Sequence, residues 1–448
     1  MHPHLSRHVL RWASATVAAA AALAAGSLLP VSAAASAAVP AARVISPGTR
    51  FFVPPPSSGA PQQVIGLLKA HDLKDAALIT EMETIPRAVW FTSGTQGQVQ
   101  QQVRQTMTEA AIERAVPVLV AYDIPGRDCA QYSAGGALDE SAYEAWIDGF
   151  AGGIGKGKAV VILEPDALGN MPSGCGLSSS AYPFTDAERI AEIQYAVSAL
   201  EADPGVSVYL DGTHSAWQSV GTITQRLLEA SVQQAQGFFL NVSNYQADPN
   251  LTDYGTWISD CIAMVTDPSN AYYNNPAACA SQYYPATESD FSTWGLTTAW
   301  YAQNMGGAVA STHFVVDTSR NGDGPNGMQQ YASAPYNQPA SVISTLAGGN
   351  WCNPPASGLG LKPTANTGVP LLDAYMWVKT PGQSDGQCDA AGGVRAWDYT
   401  AYTQPGWPAD AASQALFDPL WGIDDPAAGA WFPQEAVQLA QDASPSLP

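Results

Sequence analysis

Four aspartates stand at or shortly after the ends of apolar runs: Asp128, Asp166, Asp211 and Asp385. Asp166 is the strongest candidate, because Glu164-Pro165-Asp166 directly follows the apolar run 160–163. Two carboxyl groups in one cleft can hydrolyse a glycosidic bond, one protonating the leaving oxygen and the other activating water. Any one aspartate in such a place is more often a turn or cap residue. The chemistry therefore depends on whether the four side chains converge.

Seven short apolar runs precede these and other polar residues. Uninterrupted apolar runs predict strands buried on both faces, as in a parallel sheet, and helical patterns lie between several of them. The polar residues after parallel strands gather at one rim, where active sites form, although they can also serve merely as strand caps. The predicted strands are 89–91, 118–122, 160–163, 208–210, 238–240, 314–316 and 374–378, and the predicted helices are 98–115, 141–154, 186–200 and 223–235.

Residues 1–37 have the pattern of a secretory signal peptide. Arg7 and Arg11 precede the apolar run 17–29, and Ala35-Ser36-Ala37 offers a cleavage site of small residues. A membrane anchor is the alternative, but alanines dominate the run and no second apolar segment of spanning length follows. No shift in composition divides the remaining chain. We therefore expect a secreted protein with one catalytic domain over residues 38–448.

The charge of the chain excludes some classes of partner. The 448 residues include 18 Lys and Arg against 39 Asp and Glu, a net charge of −21. Loss of Arg7 and Arg11 with the signal peptide leaves 16 against 39, a net charge of −23. Such a surface repels nucleic acid and anionic membranes. We expect neither partner, and we expect a monomer.

Six cysteines in an exported chain favour disulfides over a metal site. Six cysteines allow 15 pairings, which the residues alone leave open. No C-x-x-C is present, and only His71, His214 and His313 lie after the signal peptide. No metal site is expected from these residues.

Several motifs carry a specific resemblance. Together they resemble glycoside hydrolase family 6, in the family's order, over about residues 89–390. The motifs are Val120-Ala-Tyr122-Asp-Ile-Pro125-Gly-Arg127-Asp128-Cys129, Val160-Val-Ile-Leu-Glu164-Pro165-Asp166, Leu210-Asp211-Gly-Thr-His214-Ser-Ala-Trp217, Asn241-Val-Ser-Asn244, Asp317-Thr-Ser-Arg320, Trp351-Cys352-Asn353 and Lys379-Thr-Pro-Gly-Gln383-Ser-Asp385.

This resemblance implies a distorted parallel β/α (TIM-like) barrel with long rim loops. It also implies inverting hydrolysis of cellulose and cello-oligosaccharides without a metal or an organic cofactor. Matched position by position, Asp166 is the general acid, and Asp128 favours its protonated form and closes the catalytic loop. Asp385 matches the proposed base, whose role is argued over because water can relay the proton. Asp211 supports the environment of the acid, and Tyr122 crowds the sugar at the cleavage point.

The resemblance also implies a set of substrate contacts, in which aromatic rings stack on sugar faces and polar groups bind hydroxyls. Core packing is the alternative for any single tryptophan. Many relatives carry glutamate where this chain has Gln383. Glutamine keeps the hydrogen-bonding shape of glutamate but lacks its negative charge. The implied contacts are Trp90, His214, Trp217, Asn244, Trp351, Lys379 and Gln383, with Thr92 added because it shares a strand face with Trp90.

Cysteine pairing is implied in the same way. Cys129 with Cys175 and Cys352 with Cys388 match the two bridges of the family, which leaves Cys261 with Cys279.

Two long segments, 248–305 and 390–432, bear on the mode of action. They resemble loops of tunnel-forming relatives and predict a cellobiohydrolase. Val220 argues against this, because some relatives carry a further tryptophan there. An open-cleft endoglucanase and a non-catalytic glucan-binding relative are the alternatives.

Overall fold

The structure is a computed structural model that describes residues 45–178 and 180–448. The predicted signal peptide lies outside the described residues. Within the described part of the chain, strands and helices alternate as the sequence predicts. The strands are β1 (Val89–Phe91), β2 (Val118–Ala121), β3 (Ala159–Leu163), β4 (Val206–Asp211), β5 (Gly237–Leu240), β6 (His313–Asp317) and β7 (Leu372–Met376).

The helices begin before β1 and continue past β7. They are α1 (Ala60–Lys69), α2 (Leu73–Glu83), α3 (Gln96–Glu113), α4 (Glu140–Ile154), α5 (Asp186–Leu200), α6 (Val220–Glu229), α7 (Asp248–Thr266), α8 (Gly295–Asn304), α9 (Ala340–Gly348), α10 (Ala411–Leu416) and α11 (Pro433–Gln441). Side-chain caps fix several of their starts. Thr95 and Gln98 form a capping box on α3, and Thr185 and Glu188 form one on α5.

The seven strands form one parallel sheet in sequence order, β1 to β7. Hydrogen bonds join its two edges, at the edge strands β1 and β7. Ala88 N donates to Trp377 O over 2.8 Å, and the Trp90 indole donates to Val378 O over 2.8 Å. The sheet therefore curls into the distorted barrel that the sequence resemblance predicts.

Alternate strand residues pack on opposite sides of the sheet, as the period of two requires. Val120, Ile162 and Phe239 belong to an apolar cluster inside the curl. Their neighbours Leu119 and Val161 pack against the surrounding helices. Because both faces of the sheet are covered, the strands contain short apolar runs, although β4, β6 and β7 also include polar residues.

The two long segments differ in structure. The first 19 residues of the segment 248–305 are α7, whose Trp257 and Ile258 pack in the helix layer, so they belong to the regular crossover between β5 and β6. Only residues 267–312, here called the 267–312 insertion, are additional. The segment 390–432 is held by a buried ion pair between Arg395 and Asp418, whose Nε and Oδ2 lie 3.0 Å apart.

All six cysteines are paired, as the resemblance implies. The bridges are Cys129–Cys175, Cys261–Cys279 and Cys352–Cys388. Among the helices of the described residues, none combines the length and apolarity needed to cross a membrane.

Candidate active site

A cleft of about 1290 Å³ opens at the carboxyl ends of the strands. It collects side chains that are far apart in sequence, because parallel strands all end at the same rim. Twelve of the thirteen non-cysteine site residues predicted from the sequence line it. They are Trp90, Thr92, Tyr122, Asp128, Asp166, His214, Trp217, Asn244, Trp351, Lys379, Gln383 and Asp385. Asp211 is buried and does not line the cleft.

Glu164, directly after β3, holds the backbone that follows β2. Its fully buried carboxyl accepts the backbone N–H groups of Asp123 and Ile124 at 3.0 and 3.1 Å. Burial raises the pKa of Glu164 to about 8, although these N–H groups oppose the shift. Glu164 therefore fixes the backbone beside Tyr122 and does not face the cleft.

Asp166 lines the cleft shortly after β3, directly following Pro165. It has a left-handed backbone (φ 66°), a conformation that non-glycine residues adopt rarely and mostly at functional sites. Burial raises the pKa of Asp166 well above its usual range, and the negative charges of Asp211, Asp128 and Asp385 raise it further. Its carboxyl consequently keeps a proton at a pH where an exposed aspartate is ionised.

Asp211 supports the loop that carries Asp166. Its Oδ2 accepts the N–H groups of Leu168 and Gly169 at 3.0 and 2.9 Å. Its Oδ1 accepts the N–H of Thr213 at 2.8 Å. Burial raises the pKa of Asp211 to about 6, and the three N–H groups oppose this. Asp211 therefore holds the backbone after Asp166 and adds negative charge close to that carboxyl.

Asp128 lies on a strained loop. Asp128, Cys129 and Ala130 all have positive φ angles, between 47° and 59°. The Cys129–Cys175 bridge ties this loop to the segment after Asp166. Asp128 Oδ2 accepts the N–H of Ser133 at 2.6 Å. Burial raises the pKa of Asp128 to about 6, against the opposing effects of the Ser133 N–H and the Arg127 charge.

Arg127 closes the same loop and was not among the site residues predicted from the sequence. Its Nη1 donates to Thr92 O over 2.7 Å and its Nε donates to Ser133 O over 2.8 Å. The guanidinium lies 4.7 Å from the ring centre of Tyr122, within cation–π range. The Tyr122 ring in turn meets Trp90 edge to face, with centroids 5.4 Å apart.

Asp385 sits in a different electrostatic environment. Its Oδ1 lies 2.7 Å from Lys379 Nζ, and its Oδ2 lies 2.7 Å from Arg320 Nη1. Asn353 N donates to Oδ2 over 2.8 Å. Burial alone would raise the pKa of Asp385, but the charges of Arg320 and Lys379 outweigh it and lower the pKa to about 2. Lys379, predicted as a sugar contact, is therefore also an ion-pair partner of the proposed base.

Arg320 and Glu435 complete this network, and neither was selected from the sequence. Arg320 follows β6 within a recognised motif, so its position after a strand was an available signal. Glu435 lies on α11, and its Oε1 is 3.4 Å from Arg320 Nη1. Burial raises the pKa of Glu435 to about 7, although the Arg320 charge opposes the shift. A glutamate on a C-terminal amphipathic helix gives no sequence signal of such a role.

Aromatic and polar side chains complete the walls. The Trp217 ring packs on Gly169, where no Cβ would fit. His214 Nδ1 accepts the Ala216 N–H at 3.3 Å, and burial lowers the pKa of His214 to about 4, so its neutral ring carries the proton on Nε2. The Asn244 side-chain oxygen accepts the N–H of Tyr245 at 3.0 Å.

The chemistry of the cleft is that of acids and aromatic rings. Among residues 45–178 and 180–448, no group of three or more His, Cys, Asp or Glu side chains is arranged to hold a metal ion. Carboxyl groups in two protonation states face a space lined by tryptophans, which suits acid–base chemistry on a carbohydrate.

Comparison with known proteins places this cleft in a family. The profile described as Glycosyl hydrolases family 6 matches residues 46–443. The chain belongs to this family. The family and the distorted barrel predicted from the sequence are thereby confirmed.

Members of glycosyl hydrolases family 6 with different modes of action are similar to the chain. Endoglucanase A of Cellulomonas fimi is 32% identical over 352 residues, which cover 78% of this chain and 59% of that protein. The 1,4-beta-D-glucan cellobiohydrolase C of Emericella nidulans is 28% identical over 354 residues, covering 73% of this chain and 61% of that protein. The matches thus span about three fifths of these curated relatives.

A solved structure of a glycosyl hydrolases family 6 member shares the fold. The endoglucanase Cel6 from Mycobacterium tuberculosis, in complex with methyl-cellobiosyl-4-deoxy-4-thio-β-D-cellobioside, is 29% identical. It superposes with a TM-score of 0.59 and covers 90% of this chain and 99% of that chain.

Proposed function

We propose that this chain hydrolyses β-1,4-glucan, with cellulose as its substrate, and inverts the configuration of the cleaved carbon. The observation that carries the proposal is the pair of contrasting carboxyl groups in one cleft. Burial and neighbouring negative charge raise the pKa of Asp166, whereas Arg320 and Lys379 overcome burial and lower the pKa of Asp385. One group is protonated and the other ionised at the same pH, as inverting hydrolysis requires.

Asp166 is the general acid of this mechanism. Its proton passes to the glycosidic oxygen as the bond to the leaving sugar breaks. Asp128 favours the protonated form of Asp166 through like-charge repulsion. The strained loop, held by Arg127 and the Cys129–Cys175 bridge, keeps that charge in place.

Asp385 acts on the water side of the reaction. Inverting enzymes keep their two carboxyl groups roughly 6.5–9.5 Å apart so that a water fits between one of them and the sugar. A carboxylate with a pKa of about 2 is a weak base, so we propose that the proton reaches it through a water chain. Its ionised state also stabilises the positive charge that develops on the sugar ring.

The remaining lining residues would bind the glucan chain. Trp90, Trp217 and Trp351 offer flat faces for sugar rings. Neutral His214 can donate from Nε2 to a hydroxyl group. Tyr122 would crowd the sugar at the cleavage point and favour ring distortion toward the transition state.

We further propose release of cellobiose from chain ends. Support comes from Tyr132, on the loop after Asp128, which packs against the backbone at Gly386 and Gly392 so closely that neither residue has room for a Cβ. The Tyr132 and Trp351 rings are also 6.1 Å apart. The loops after β2 and β7 therefore meet, which favours an enclosed path for the chain. The name of the Cellulomonas fimi relative favours the alternative, an endoglucanase.

Two measurements test the reaction and its mode. Proton NMR of the first products should show the α-anomer, because a β-linkage is opened with inversion. Initial β-anomer would rule out the mechanism, and absence of new reducing ends on swollen cellulose would favour a non-catalytic glucan-binding protein. A slow viscosity loss of carboxymethyl cellulose with cellobiose as the main product is expected, whereas a rapid loss with few reducing ends would show an endoglucanase.

Export and a monomeric state belong to the same proposal. Three disulfides in the chain support an oxidising compartment. N-terminal sequencing of the protein from a culture supernatant should give a start at residue 38, and light scattering should give the mass of one chain. An uncleaved N-terminus or a dimer mass would overturn the corresponding part.

A further inference from the structure

The 267–312 insertion packs against the cleft wall at Trp217. Tyr283 donates its hydroxyl to Trp217 O over 2.9 Å. The fully buried Gln282 donates its side-chain amide to Gln218 O over 2.9 Å. The Cys261–Cys279 bridge ties the start of the insertion to α7. The insertion therefore adjoins the cleft wall at Trp217.

A short turn of the insertion presents Phe291 to the cleft. Phe291 is 45% exposed and lines the same cavity as Trp217. Beneath it lies Trp294, which is 1% exposed, with ring centroids 5.3 Å apart. The Trp294 ring packs against Trp257 of α7, with ring centroids 5.2 Å apart, and its indole N–H donates to Thr287 O over 3.2 Å. Phe291 is thus an exposed aromatic ring on a rigid, buried base.

Acceptors for hydroxyl groups accompany this ring. Glu288 and Ser289 line the same part of the cleft. The Glu288 carboxyl interacts with the Tyr283 hydroxyl, whose proton is donated to Trp217 O. An aromatic face beside a carboxylate and a hydroxyl matches a glucose unit, whose ring face presents C–H groups and whose edge presents hydroxyls.

We propose that Phe291 and Glu288 form a further glucose-binding site on the side of Trp217 away from Trp90. The inference rests on the proposed glucanase function, and its ligand is a glucose unit of the same β-1,4-glucan chain. Trp90 lies in β1, Trp217 follows β4 and Phe291 lies between β5 and β6, so a glucan chain that runs along the sheet order past both tryptophans leads onto Phe291. Only chains long enough to reach the insertion would gain from this contact.

The test compares kcat/KM for cellotriose and cellohexaose. Phe291→Ala should lower the value for cellohexaose by about two- to tenfold, the size of one aromatic stacking contact, and leave that for cellotriose unchanged. Phe291→Trp should keep the preference for the longer chain. Leu296→Ala is the matched control, because Leu296 is a 55% exposed apolar residue of the same insertion that does not line the cleft.

Three results would overturn the inference. Equal losses on both substrates, or no loss on either, would show that Phe291 contacts no sugar while the glucanase function stands. The same loss in Phe291→Trp as in Phe291→Ala would assign Phe291 to packing on Trp294. A wild-type protein without activity on any cello-oligosaccharide would overturn the proposed function and this inference together.

Discussion

Arg320 and Asp385 form an ion pair in which the guanidinium Nη1 lies 2.7 Å from the carboxylate Oδ2. The same Nη1 lies 3.4 Å from Glu435 Oε1, so one buried cation serves two carboxyl groups. The closer carboxyl, which also pairs with Lys379, has its pKa lowered to about 2 despite burial. The more distant one has its pKa raised to about 7 because burial dominates. Distance and partner number thus decide which carboxyl is ionised.

Replacing the proposed acid tests its role directly. Asp166→Asn should lower kcat on cellohexaose by about 100-fold or more, because general acid catalysis contributes that much. The loss should be far smaller on an aryl cellobioside whose phenol is acidic, since that leaving group needs no proton. Initial-rate kinetics on both substrates measure the two effects. An equal loss on both would exclude Asp166 as the acid.

The charge of Asp128 should appear in the pH dependence. The Asp128 carboxylate is one of the charges that raise the pKa of Asp166. The alkaline limb of kcat/KM reports loss of the proton from the essential acid of the free enzyme. In Asp128→Asn one negative charge is gone, the pKa of Asp166 falls, and the alkaline limb moves to lower pH by up to about one unit. Asparagine retains an oxygen for the Ser133 N–H.

A matched control separates this local effect from net charge. Asp139→Asn also removes one negative charge, at an exposed cap of α4 that asparagine can form equally well. At about 0.15 M salt, exposed charges beyond roughly 8 Å are screened. The alkaline limb of kcat/KM for Asp139→Asn should therefore stay where it is in the wild type. Equal shifts in both variants would show that the Asp128 charge has no special coupling to Asp166.

Stability should fall as the pH rises from about 5 to 8. Burial raises the pKa of Glu164 to about 8 and that of Glu435 to about 7, so both stay protonated in the folded chain after they ionise in the unfolded chain. The unfolded state then binds fewer protons, and the free energy of unfolding decreases with pH. This stabilisation is complete below pH about 4.5 and is lost as the pH passes each folded-state pKa. The melting temperature across this range measures it.

Glu435→Gln isolates one contribution. Glutamine keeps an oxygen for Arg320, and its amide group replaces Oε2, which has no hydrogen-bond partner. The fall in melting temperature between pH 5 and pH 8 should therefore be smaller in the variant than in the wild type. Gln62→Glu, on the exposed face of α1, is a control that should leave the slope unchanged. Parallel curves for the wild type and Glu435→Gln would contradict the buried titration of Glu435.

The sequence predicted the parts of the site that strands position. Strands ending at one rim bring Tyr122, Asp166 and Lys379 together. The apolar runs indicated that rim, and the family resemblance singled out Tyr122 and Lys379 within it. Glu435 was missed because a helix after the barrel brings it to Arg320, and Phe291 was missed because an insertion brings it to the cleft. The apolar pattern of a helix and the length of an insertion do not predict which part of the barrel each will pack against. The start of the segment 248–305 is a regular crossover helix. It was assigned to a rim loop because the helical spacing of its apolar residues was not recognised.

Position 383 tests how Asp385 is tuned. Gln383 lines the cleft with Lys379 and Asp385, two residues before the latter. Gln383→Glu would place a negative charge near Asp385 and compete for the Lys379 cation. A like charge raises a carboxyl pKa, so the pKa of Asp385 should rise from about 2. The acidic limb of kcat/KM, which reports ionisation of the essential base, should then move upward by up to about one pH unit.

The measurement is that limb in Gln383→Glu, the wild type and the control Gln62→Glu at equal ionic strength. The limb is measured at low pH, where the buried carboxyls of Glu164 and Glu435 are protonated and therefore do not destabilise the folded chain. A rise in KM with an unmoved limb would mean that Gln383 only hydrogen-bonds a glucose hydroxyl. An unmoved limb with unchanged KM would place position 383 outside the electrostatic reach of Asp385. A shift in Gln383→Glu alone would establish that the charge at this position sets the acid tolerance of the enzyme through Asp385.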